Sequence, residues 1–221
     1  MAAPRASSSV RVHCFTEPNF GENAYVVDGG TGSECWIIDP GLPPSARQIL
    51  EYVGRERLRP TALILTHAHA DHIVGVPEIL AAYAELPVRI AAGERRLLTD
   101  PDANLSGSCG LPFTVRPETL LDLEPPGPLR LNDTQWAVLD VSGHSPDGRA
   151  LYCAAAGAAI VGDALFEGSI GRTDFPGSDH ERLIRNIRAH LLTLPEETVV
   201  YSGHGPATTI GREKRGNPWL A

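Results

Sequence analysis

Three histidines and one aspartate lie within residues 67–72, directly after a run of apolar, strand-forming residues. The stretch 63–72 reads Leu-Ile-Leu-Thr-His-Ala-His-Ala-Asp-His and predicts a short buried strand, a turn and the start of a helix. His67 and His69 are two positions apart, so in extended chain their imidazoles lie on one face and can converge on one metal ion. Asp71 and His72 begin the next element and point elsewhere. Two ligand pairs at one corner therefore suggest two metal ions.

Two metal ions require further ligands, because each ion takes about four or five donors and the pair needs a bridging group. Three candidates follow, namely His144 in Gly-His-Ser-Pro, Asp163 in Val-Gly-Asp and His204 in Ser-Gly-His-Gly-Pro. Each comes after an apolar, strand-like run, and loops at strand ends carry functional residues on a rigid scaffold. The alternative is a polar surface turn or a His-rich cluster for one metal, which predicts nothing about these three downstream residues.

The order of these residues resembles the metallo-β-lactamase superfamily, whose pattern is matched by Thr66-His67-x-His69-x-Asp71-His72, then His144, Asp163 and His204. Residues 162–174, Gly-Asp-Ala-Leu-Phe-Glu-Gly-Ser-Ile-Gly-Arg-Thr-Asp, and residues 203–206, Gly-His-Gly-Pro, are similar to short glyoxalase II-like hydrolases. The similarity runs from about Asn23 to Trp219. It implies an α/β protein with an αββα sandwich, in which two mixed β-sheets pack face to face between outer helices. Hydrophobic periodicity by itself does not distinguish that sandwich from an open sheet.

The resemblance also implies a set of seven metal ligands: His67, His69 and His144 for one ion, Asp71, His72 and His204 for the other, and Asp163 as the bridge. We assign Asp71 and Asp163 as the catalytic carboxylates of this centre. Nitrogen and oxygen donors without thiolate suit two divalent metal ions, for which we expect zinc, with iron or manganese as alternatives.

Two residues outside the ligand set are also implicated. Asp39 lies in an Asp-Pro-Gly turn that resembles one in the superfamily, where the carboxylate approaches the centre as the partner of a ligand. An aspartate that only forms the turn is the alternative. Arg172 is the expected substrate-binding residue, because a planar cationic fork suits an anionic tail, and the alternative is a structural ion pair with Asp174 or Asp179. Full-length glyoxalase II enzymes bind much of the glutathione with a helical C-terminal domain, whereas this sequence ends shortly after His204.

The expected reaction follows from the ligands. Two cations about 3.5 to 4 Å apart lower the pKa of a shared water from about 15.7 towards ~7, so a hydroxide nucleophile forms near neutral pH without a serine or cysteine. A thioester then releases a thiolate, whose conjugate acid has a pKa of about 8.5, and this leaving group needs little help from a general acid. We therefore expect a metal-dependent hydrolase for hydroxyacylglutathione or a similar small acyl thioester. A lactone or another ester is a less favoured substrate.

Two other functions fit parts of the same pattern. Persulfide (sulfur) dioxygenases share the fold, and the strings His-Ala-Asp-His-Ile and Gly-Arg-Thr-Asp-Phe resemble theirs. Those enzymes use one iron, held by the equivalents of His67, His144 and Asp163, with open positions for oxygen. The Ser-Gly-His-Gly-Pro string around His204 favours the hydrolase. A catalytically silent metal-binding or interaction module is disfavoured, because no ligand of the reactive site is missing.

Composition sets the remaining expectations. The 221 residues, of which 42% are hydrophobic, fit one α/β domain over residues 10–221, preceded by a flexible tail at residues 1–9. A net charge of −8 and a pI of 5.4 argue against nucleic acid as the main partner, and no apolar run is long enough for a membrane span. Scattered cysteines and the lack of a secretory h-region favour the reducing cytoplasm.

Three local features bear on the geometry of the site. Ser45 is predicted to cap a helix that runs to about Gly54. Residues 73–83 predict a helix that is interrupted near Pro77. Residues 99–128 are rich in Pro, Asp, Ser and Gly and predict a long irregular loop. We expect this loop to lie over or beside the pocket, because long loops in compact domains are usually functional or mobile.

Overall fold

Two six-stranded sheets form the centre of the molecule, which the computed structural model describes for residues 10–29, 32–125 and 127–220. In spatial order the first sheet consists of β1 (Arg11–Thr16), β2 (Asn23–Asp28), β3 (Glu34–Ile38), β4 (Arg59–Ile64), β5 (Val88–Ile90) and β6 (Leu120–Asp122). The second consists of β7 (Leu129–Leu131), β8 (Thr134–Asp140), β9 (Arg149–Cys153), β10 (Ala158–Gly162), β13 (Val199–Ser202) and β14 (Thr208–Thr209). Strands β11 (Leu165–Phe166) and β12 (Ser169–Ile170) form a separate hairpin. The predicted tail, residues 1–9, lies outside the described residues.

Both sheets are mixed. In the first sheet β1, β2 and β3 are antiparallel neighbours, whereas β3 to β6 run parallel. In the second sheet β10 and β13 are parallel, and the other neighbours are antiparallel. Because β8 and β10 are both antiparallel to β9, strands β8, β10 and β13 point the same way. Their carboxyl ends meet at one edge of the sheet, and residues 144, 163 and 204 follow those ends.

Helices flank the two sheets. Those of the described residues are α1 (Ser45–Glu56), α2 (Ala70–Ile73), α3 (Val76–Ala82), α4 (His180–Asn186) and α5 (Ile210–Gly216). Helix α4 continues as a π-helical turn, Ile187–Leu191, and two 3-10 turns cover Ala92–Glu94 and Leu97–Thr99. In the described part of the chain, every helix is too short or too polar to cross a membrane.

Alternating side chains of the strands sort into separate apolar layers. Along β2, Tyr25 and Val27 join the core between the sheets, whereas Val26 points to the core beneath α1 and α3. Trp36 of the first sheet and Trp136 of the second meet edge to face in the middle, with ring centroids 5.8 Å apart. The second sheet is built in the same way, with α4 and α5 on its outer face. The predicted αββα sandwich of two mixed sheets is therefore confirmed.

The predicted cap of the first helix is wrong. Pro44 precedes α1, and Ser45 is its first residue, with a buried hydroxyl that has no hydrogen-bonding partner among the described residues. The helix also continues past Gly54 to Glu56. It ends there because Arg57 adopts the left-handed conformation (φ 55°), in which its backbone N–H donates back to the last turn.

The predicted interruption of the helix near Pro77 is confirmed, but it lies at residues 74–75, before the proline. The chain forms two separate helices, α2 and α3, and Gly75 lies between them. Pro77 lies in the first turn of α3, where a backbone N–H has no partner within the helix and the fixed φ of proline is favourable. The break leaves α2 as a single short turn, and this turn presents Asp71 and His72.

The side chain of Asn104 organises the irregular segment that follows the second 3-10 turn. Its amide donates to the carbonyls of Leu97 (2.9 Å) and Phe113 (3.1 Å), and its oxygen accepts from the backbone N–H and the hydroxyl of Ser106. The backbone carbonyl of Asn104 accepts from the N–H of Ala70 at 2.8 Å. The segment thus lies beside the start of α2, in agreement with the expected position next to the pocket.

We predict that Asn104→Ala loosens this segment specifically. The substitution leaves buried backbone groups without partners, so the free energy of unfolding should fall by about 2 kcal/mol, and limited proteolysis should cut within residues 99–117. Asn217→Ala is the matched control, because Asn217 is equally buried and donates to the carbonyl of Ser169, far along the chain from this segment. Equal protease sensitivity of both variants would contradict the prediction.

Candidate metal centre

The predicted ligands reach one edge of the sandwich from four strand ends: His67 and His69 follow β4, Asp71 and His72 lie on α2, His144 follows β8, Asp163 follows β10 and His204 follows β13. The chain is extended at His69 (φ −68°, ψ 151°) and helical from the next residue, so the two pairs of the first segment face different ways. The structure brings six of these residues together in two groups of three, and Asp163 lies between the groups.

The first group consists of His67, His69 and His144, whose ligand atoms all lie within 4.8 Å of one another. Nδ1 of His69 and Nε2 of His144 are 2.9 Å apart. All three imidazoles are buried. Nitrogen atoms that converge in this way can share one metal ion.

The second group consists of Asp71, His72 and His204, whose ligand atoms also lie within 4.8 Å of one another. Nε2 of His204 is 3.2 Å from Oδ2 of Asp71, and Nε2 of His72 is 3.9 Å from the same oxygen. The side chain of His72 is fully buried, whereas those of Asp71 and His204 are 32% and 25% exposed. Solvent therefore reaches the centre from the side of the second group.

Asp163 lies between the two groups. Its Oδ2 atom is 3.5 Å from Nε2 of His144 in the first group and 3.5 Å from Nε2 of His204 in the second. Its Oδ1 atom is 3.3 Å from Nε2 of His72. One carboxylate thus reaches both groups, which is the position that the predicted bridging role requires.

Asp39 stands behind the ligands and orients His72. Its Oδ1 atom accepts from the backbone N–H of Thr66 at 2.8 Å, and its Oδ2 atom accepts from the Thr66 hydroxyl at 2.6 Å. Oδ2 is also 3.2 Å from Nδ1 of His72, which leaves Nε2 of that ring for the second group. Asp39, His67 and His72 are close enough to hold an ion by themselves, but both oxygens of Asp39 already accept hydrogen bonds. The position agrees with the predicted role as the partner of a ligand.

Several donor atoms in the centre fit metal ions. Nε2 of His67 and Nε2 of His69 are buried and have no hydrogen-bonding partner among the described residues. A buried polar atom without a partner costs about 1–3 kcal/mol, and coordination to a cation would remove that cost. Imidazole nitrogens and carboxylate oxygens are donors that zinc, iron and manganese all accept.

The protonation of His67, His69 and Asp163 also suits a cation. Burial lowers the pKa of His67 well below its ordinary value, and burial together with the neighbouring His144 lowers the pKa of His69 to about 3. Both imidazoles are therefore neutral at pH 7 and able to donate to a metal. Burial alone would raise the pKa of Asp163, but His72, His144 and His67 outweigh it and hold this pKa well below the ordinary value. The carboxylate is thus ionised.

Two glycines let the backbone come close to the ligands. A Cβ atom at Gly203 would overlap Oδ1 of Asp163 and lie 2.8 Å from Cε1 of His72. Gly162 has a φ of 52°, and a Cβ atom there would lie 2.8 Å from Cβ of Thr66. No side chain fits at either position, so the ligands can pack directly against the strand ends.

Phe175 and Arg172 form one wall beside the first group. The ring of Phe175 lies 5.5 Å from the ring of His69 and 5.8 Å from that of His144. The Arg172 guanidinium lies 4.5 Å above the Phe175 ring and pairs with both carboxylate oxygens of Asp174, at 2.9 and 2.7 Å. The backbone carbonyl of Arg172 faces Nδ1 of His144 at 2.7 Å. Arg172 therefore lies at the site and makes the ion pair with Asp174 that was the structural alternative.

The sequence prediction missed the contribution of Asn23, the first residue of β2. The amide of Asn23 donates to the carbonyls of Ser202 (3.0 Å) and Gly205 (2.7 Å), and its backbone N–H donates to the carbonyl of Gly203 at 2.7 Å. Asn23 thus clamps the loop that carries His204. Only a turn signal at Gly21 marks this stretch in the sequence, and no pattern there points to a residue in another sheet.

Glu22 is a second residue that the sequence prediction missed. Its carboxyl group is fully buried and has no hydrogen-bonding partner among the described residues. Burial raises the pKa of Glu22 to about 8, although the nearby His72 acts in the opposite direction. The group lies against Gly41, where even a Cβ atom would overlap it. A carboxyl group of this kind is neutral at pH 7 and packs behind the second ligand group.

Comparison with known proteins places the chain among metal-dependent enzymes. The family model described as metallo-beta-lactamase superfamily matches residues 18–204. The probable metallo-hydrolase YqgX of Bacillus subtilis is 39% identical over 90% of this chain and 92% of its own length. The hydroxyacylglutathione hydrolase GloC of Haemophilus influenzae is 34% identical over 83% of this chain and 86% of its own.

Solved structures agree with this result. The BLEG-1 B3 metallo-beta-lactamase is 37% identical, with a TM-score of 0.87 over 96% of this chain and all of its own. TTHA1623 in a di-iron-bound form is 38% identical, with a TM-score of 0.82 over 95% of this chain and all of its own. ETHE1 from Myxococcus xanthus is 26% identical, with a TM-score of 0.72 over 94% of this chain and 83% of its own.

We predict that the protein binds close to two metal ions per chain after removal of bound metal and reconstitution. Asp163→Ala should bind at most one, because the carboxylate that lies between His144 of the first group and His204 of the second is lost. Elemental analysis of the dialysed protein measures the ratio. Asp122→Ala, which removes an exposed aspartate at the end of β6, is the control and should keep both ions. A fully active preparation with a single ion would contradict the prediction.

Proposed function

The chain belongs to the metallo-beta-lactamase superfamily as a metallo-hydrolase, and from this membership we propose that it cleaves an acyl thioester with two metal ions. The observation that carries the proposal is the pair of three-residue groups with Asp163 between them. One centre with a single ion would use only one of these groups. The relative named hydroxyacylglutathione hydrolase supports a thioester of that type as the substrate.

We assign one ion to His67, His69 and His144 and the other to the second group, with Asp163 shared. When bound, two such ions lower the pKa of a water between them towards ~7 and so supply a hydroxide near neutral pH. We favour zinc, and iron is the main alternative because TTHA1623 has been seen with two irons. Of the two catalytic carboxylates, Asp71 is the more exposed, and its Oδ1 atom would take the proton of the attacking water while Oδ2 faces His204.

Hydrolysis would add the oxygen of the attacking water to the thioester carbonyl carbon and break the bond between carbon and sulfur. Sulfur leaves with the electron pair as a thiolate, and the acyl half leaves as a carboxylic acid. A thiol has a pKa of about 8.5, so the thiolate leaves without a proton from the protein. The buried, largely neutral first group and the ring of Phe175 would exclude water from the acyl half.

A small anionic thioester is the proposed substrate class, and Arg172 is the proposed anchor for its carboxylate. The guanidinium lies over the ring of Phe175, and that ring in turn contacts His69 of the first group. Its present partner, Asp174, is 65% exposed, and an exposed ion pair contributes little free energy. A substrate carboxylate can therefore replace Asp174 at small cost. The ion pair between Arg172 and Asp174 would then hold the anchor in place when no substrate is bound.

We propose the cytoplasm as the compartment and residues 10–221 as one functional unit. All four cysteines are free thiols, with Cys35 and Cys153 buried, which suits a reducing environment. The net charge of −8 supports a small-molecule substrate rather than nucleic acid or an anionic membrane.

Persulfide dioxygenase activity is the second candidate, because ETHE1 has the same fold at 26% identity. One iron held by His67, His144 and Asp163 would leave open positions for oxygen. In that case Asp71, His72 and His204 would have no ion to bind, although they converge within 4.8 Å. The second group is therefore the observation that favours the hydrolase.

We predict that S-lactoylglutathione or a similar acyl thioester is cleaved to a thiol and an acid at the same rate with and without oxygen. His204→Ala and His67→Ala should both lose most of this activity, since each removes a ligand of one ion. Thiol release and oxygen uptake are measured side by side. Oxygen uptake with glutathione persulfide that survives His204→Ala but not His67→Ala, without thioesterase activity, would establish the dioxygenase instead.

We also predict opposite effects for the two members of the exposed ion pair. Arg172→Ala should raise KM for an acidic thioester about tenfold and leave a neutral thioester nearly unchanged, because it removes binding energy for the carboxylate. Asp174→Ala frees the guanidinium and should lower KM for the acidic thioester. Steady-state kinetics with both substrates measure these effects. If both variants change both substrates alike, Arg172 has only a structural role.

A further inference from the structure

A buried carboxylate outside the metal centre joins the two loops that form the first ligand group. Glu94 ends the first 3-10 turn, and its side chain is fully buried. Its Oε2 atom accepts from the backbone N–H of Ala68 at 3.0 Å, and Ala68 stands between His67 and His69. On one side, therefore, Glu94 holds the loop that follows β4.

The other oxygen of Glu94 holds the loop that carries His144. Oε1 accepts from the backbone N–H of Asp147 at 2.8 Å, and the Ser145 hydroxyl donates to the same carboxylate. Ser145 directly follows His144 in the sequence. One carboxylate thus connects two ligand loops that belong to different sheets and lie about eighty residues apart in the chain.

Asp147 makes a second contact between the same two segments, because its side chain binds the 3-10 turn that carries Glu94. Its Oδ2 atom accepts from the backbone N–H of Gly93 at 2.9 Å, and its Oδ1 atom pairs with Nη2 of Arg149 at 2.6 Å. Arg149 is nearly fully buried and also pairs with Glu124 at 2.9 Å. The carboxylate of Glu124 in turn accepts from the backbone N–H of Ala92 at 3.0 Å, in the same 3-10 turn as Glu94. The contacts close a ring, so the position of Glu94 is set from both sides.

The geometry gives this closed set of contacts a role in metal binding. His67 and His69 come from the first sheet and His144 from the second, so the distance between them depends on contacts between the two loops. A metal ion that had to draw the loops together would lose part of its binding free energy to that ordering, whereas a preorganised site avoids this loss. Glu94 touches the backbone of each loop one to three residues from a ligand.

We propose that Glu94 is a positioning residue that sets the separation of His67 and His69 from His144 and thereby the metal affinity of the first group. This inference rests on the proposed metal centre, but not on any substrate. Residues behind the ligands of metal sites typically contribute about 10- to 100-fold to affinity. Loss of the Glu94 connection should fall in that range.

The test is a metal titration of the metal-free protein, with Zn²⁺ and a competing chromophoric chelator. Glu94→Gln keeps the size of the side chain but presents an amide NH₂ to one of the two N–H donors, so one of the two connections is lost. We expect the dissociation constant to rise about 10- to 100-fold in a His204→Ala background, which leaves the first group as the reporter. In a His67→Ala background, where the second group is the reporter, Glu94→Gln should have little effect.

Glu213→Gln is the matched control, measured in the same two backgrounds. Glu213 is another buried glutamate, and it accepts from the backbone N–H of Gly168 at 2.9 Å and from Thr208 and Asn217. The Glu213→Gln substitution should lower the melting temperature of the metal-free protein about as much as Glu94→Gln does, but it should leave metal affinity unchanged. Equal weakening of metal binding by both variants would mean a general loss of stability and would overturn the proposal.

Ser145→Ala serves if Glu94→Gln does not fold, because it removes only the hydroxyl donor to Glu94. A smaller rise in the dissociation constant of the first group is expected, and an unchanged constant would overturn the proposal. The wild-type titration separates this inference from the proposed function. If the wild type binds fewer than two ions, the two-ion hydrolase fails, while the effect of Glu94→Gln on the first group is still measured.

Discussion

The buried carboxylate of Asp163 constrains the arrangement of both ligand groups. An ionised group inside a protein is costly unless opposite charges and hydrogen-bond donors surround it. Here three imidazole nitrogens lie within 3.5 Å of its two oxygens. The end of the neighbouring strand β13 would not accept this arrangement with a side chain at Gly203, since a Cβ atom there would overlap the carboxylate. The position therefore suits a carboxylate that is shared between the two ligand groups.

The sandwich makes that arrangement possible and also makes it fragile. Each ligand group takes residues from both sheets: β4 and α2 supply one part, and the ends of β8 and β13 supply the other. The apolar core between the sheets, with Trp36 against Trp136, brings these ends together but does not fix them to a fraction of an ångström. Polar contacts at the edge add that precision. Asn23 holds the His204 loop against β2, and Glu94 holds the two loops of the first group.

In the proposed function, the metal ligands and the residues that would bind the substrate are physically separate. The ligand groups are buried or half-buried and are held by several strand ends, whereas the wall formed by Phe175, Arg172 and Asp174 is a short exposed loop after β12. One fold can host many reactions when the residues around a common site vary. The metal centre therefore accounts for the membership in a family of metallo-hydrolases, and the loop after β12 is where a thioester would be distinguished from another substrate.

The candidate metal ligands, the strands that precede them and the family could be predicted from the sequence. These features are local in the sequence. Histidine and aspartate are recognisable as metal-binding residue types, and strands appear as short apolar runs such as the one before His67. The contacts between side chains that are distant in the sequence depend on the tertiary structure. The pairing of Arg172 with Asp174 and the roles of Asn23 and Glu94 all depend on partners that the sequence does not place. Asn23 and Glu94 in particular bind backbone N–H and carbonyl groups of distant loops. Every residue carries these backbone groups, so such contacts leave no pattern in side-chain type and become visible only when the two sheets are packed.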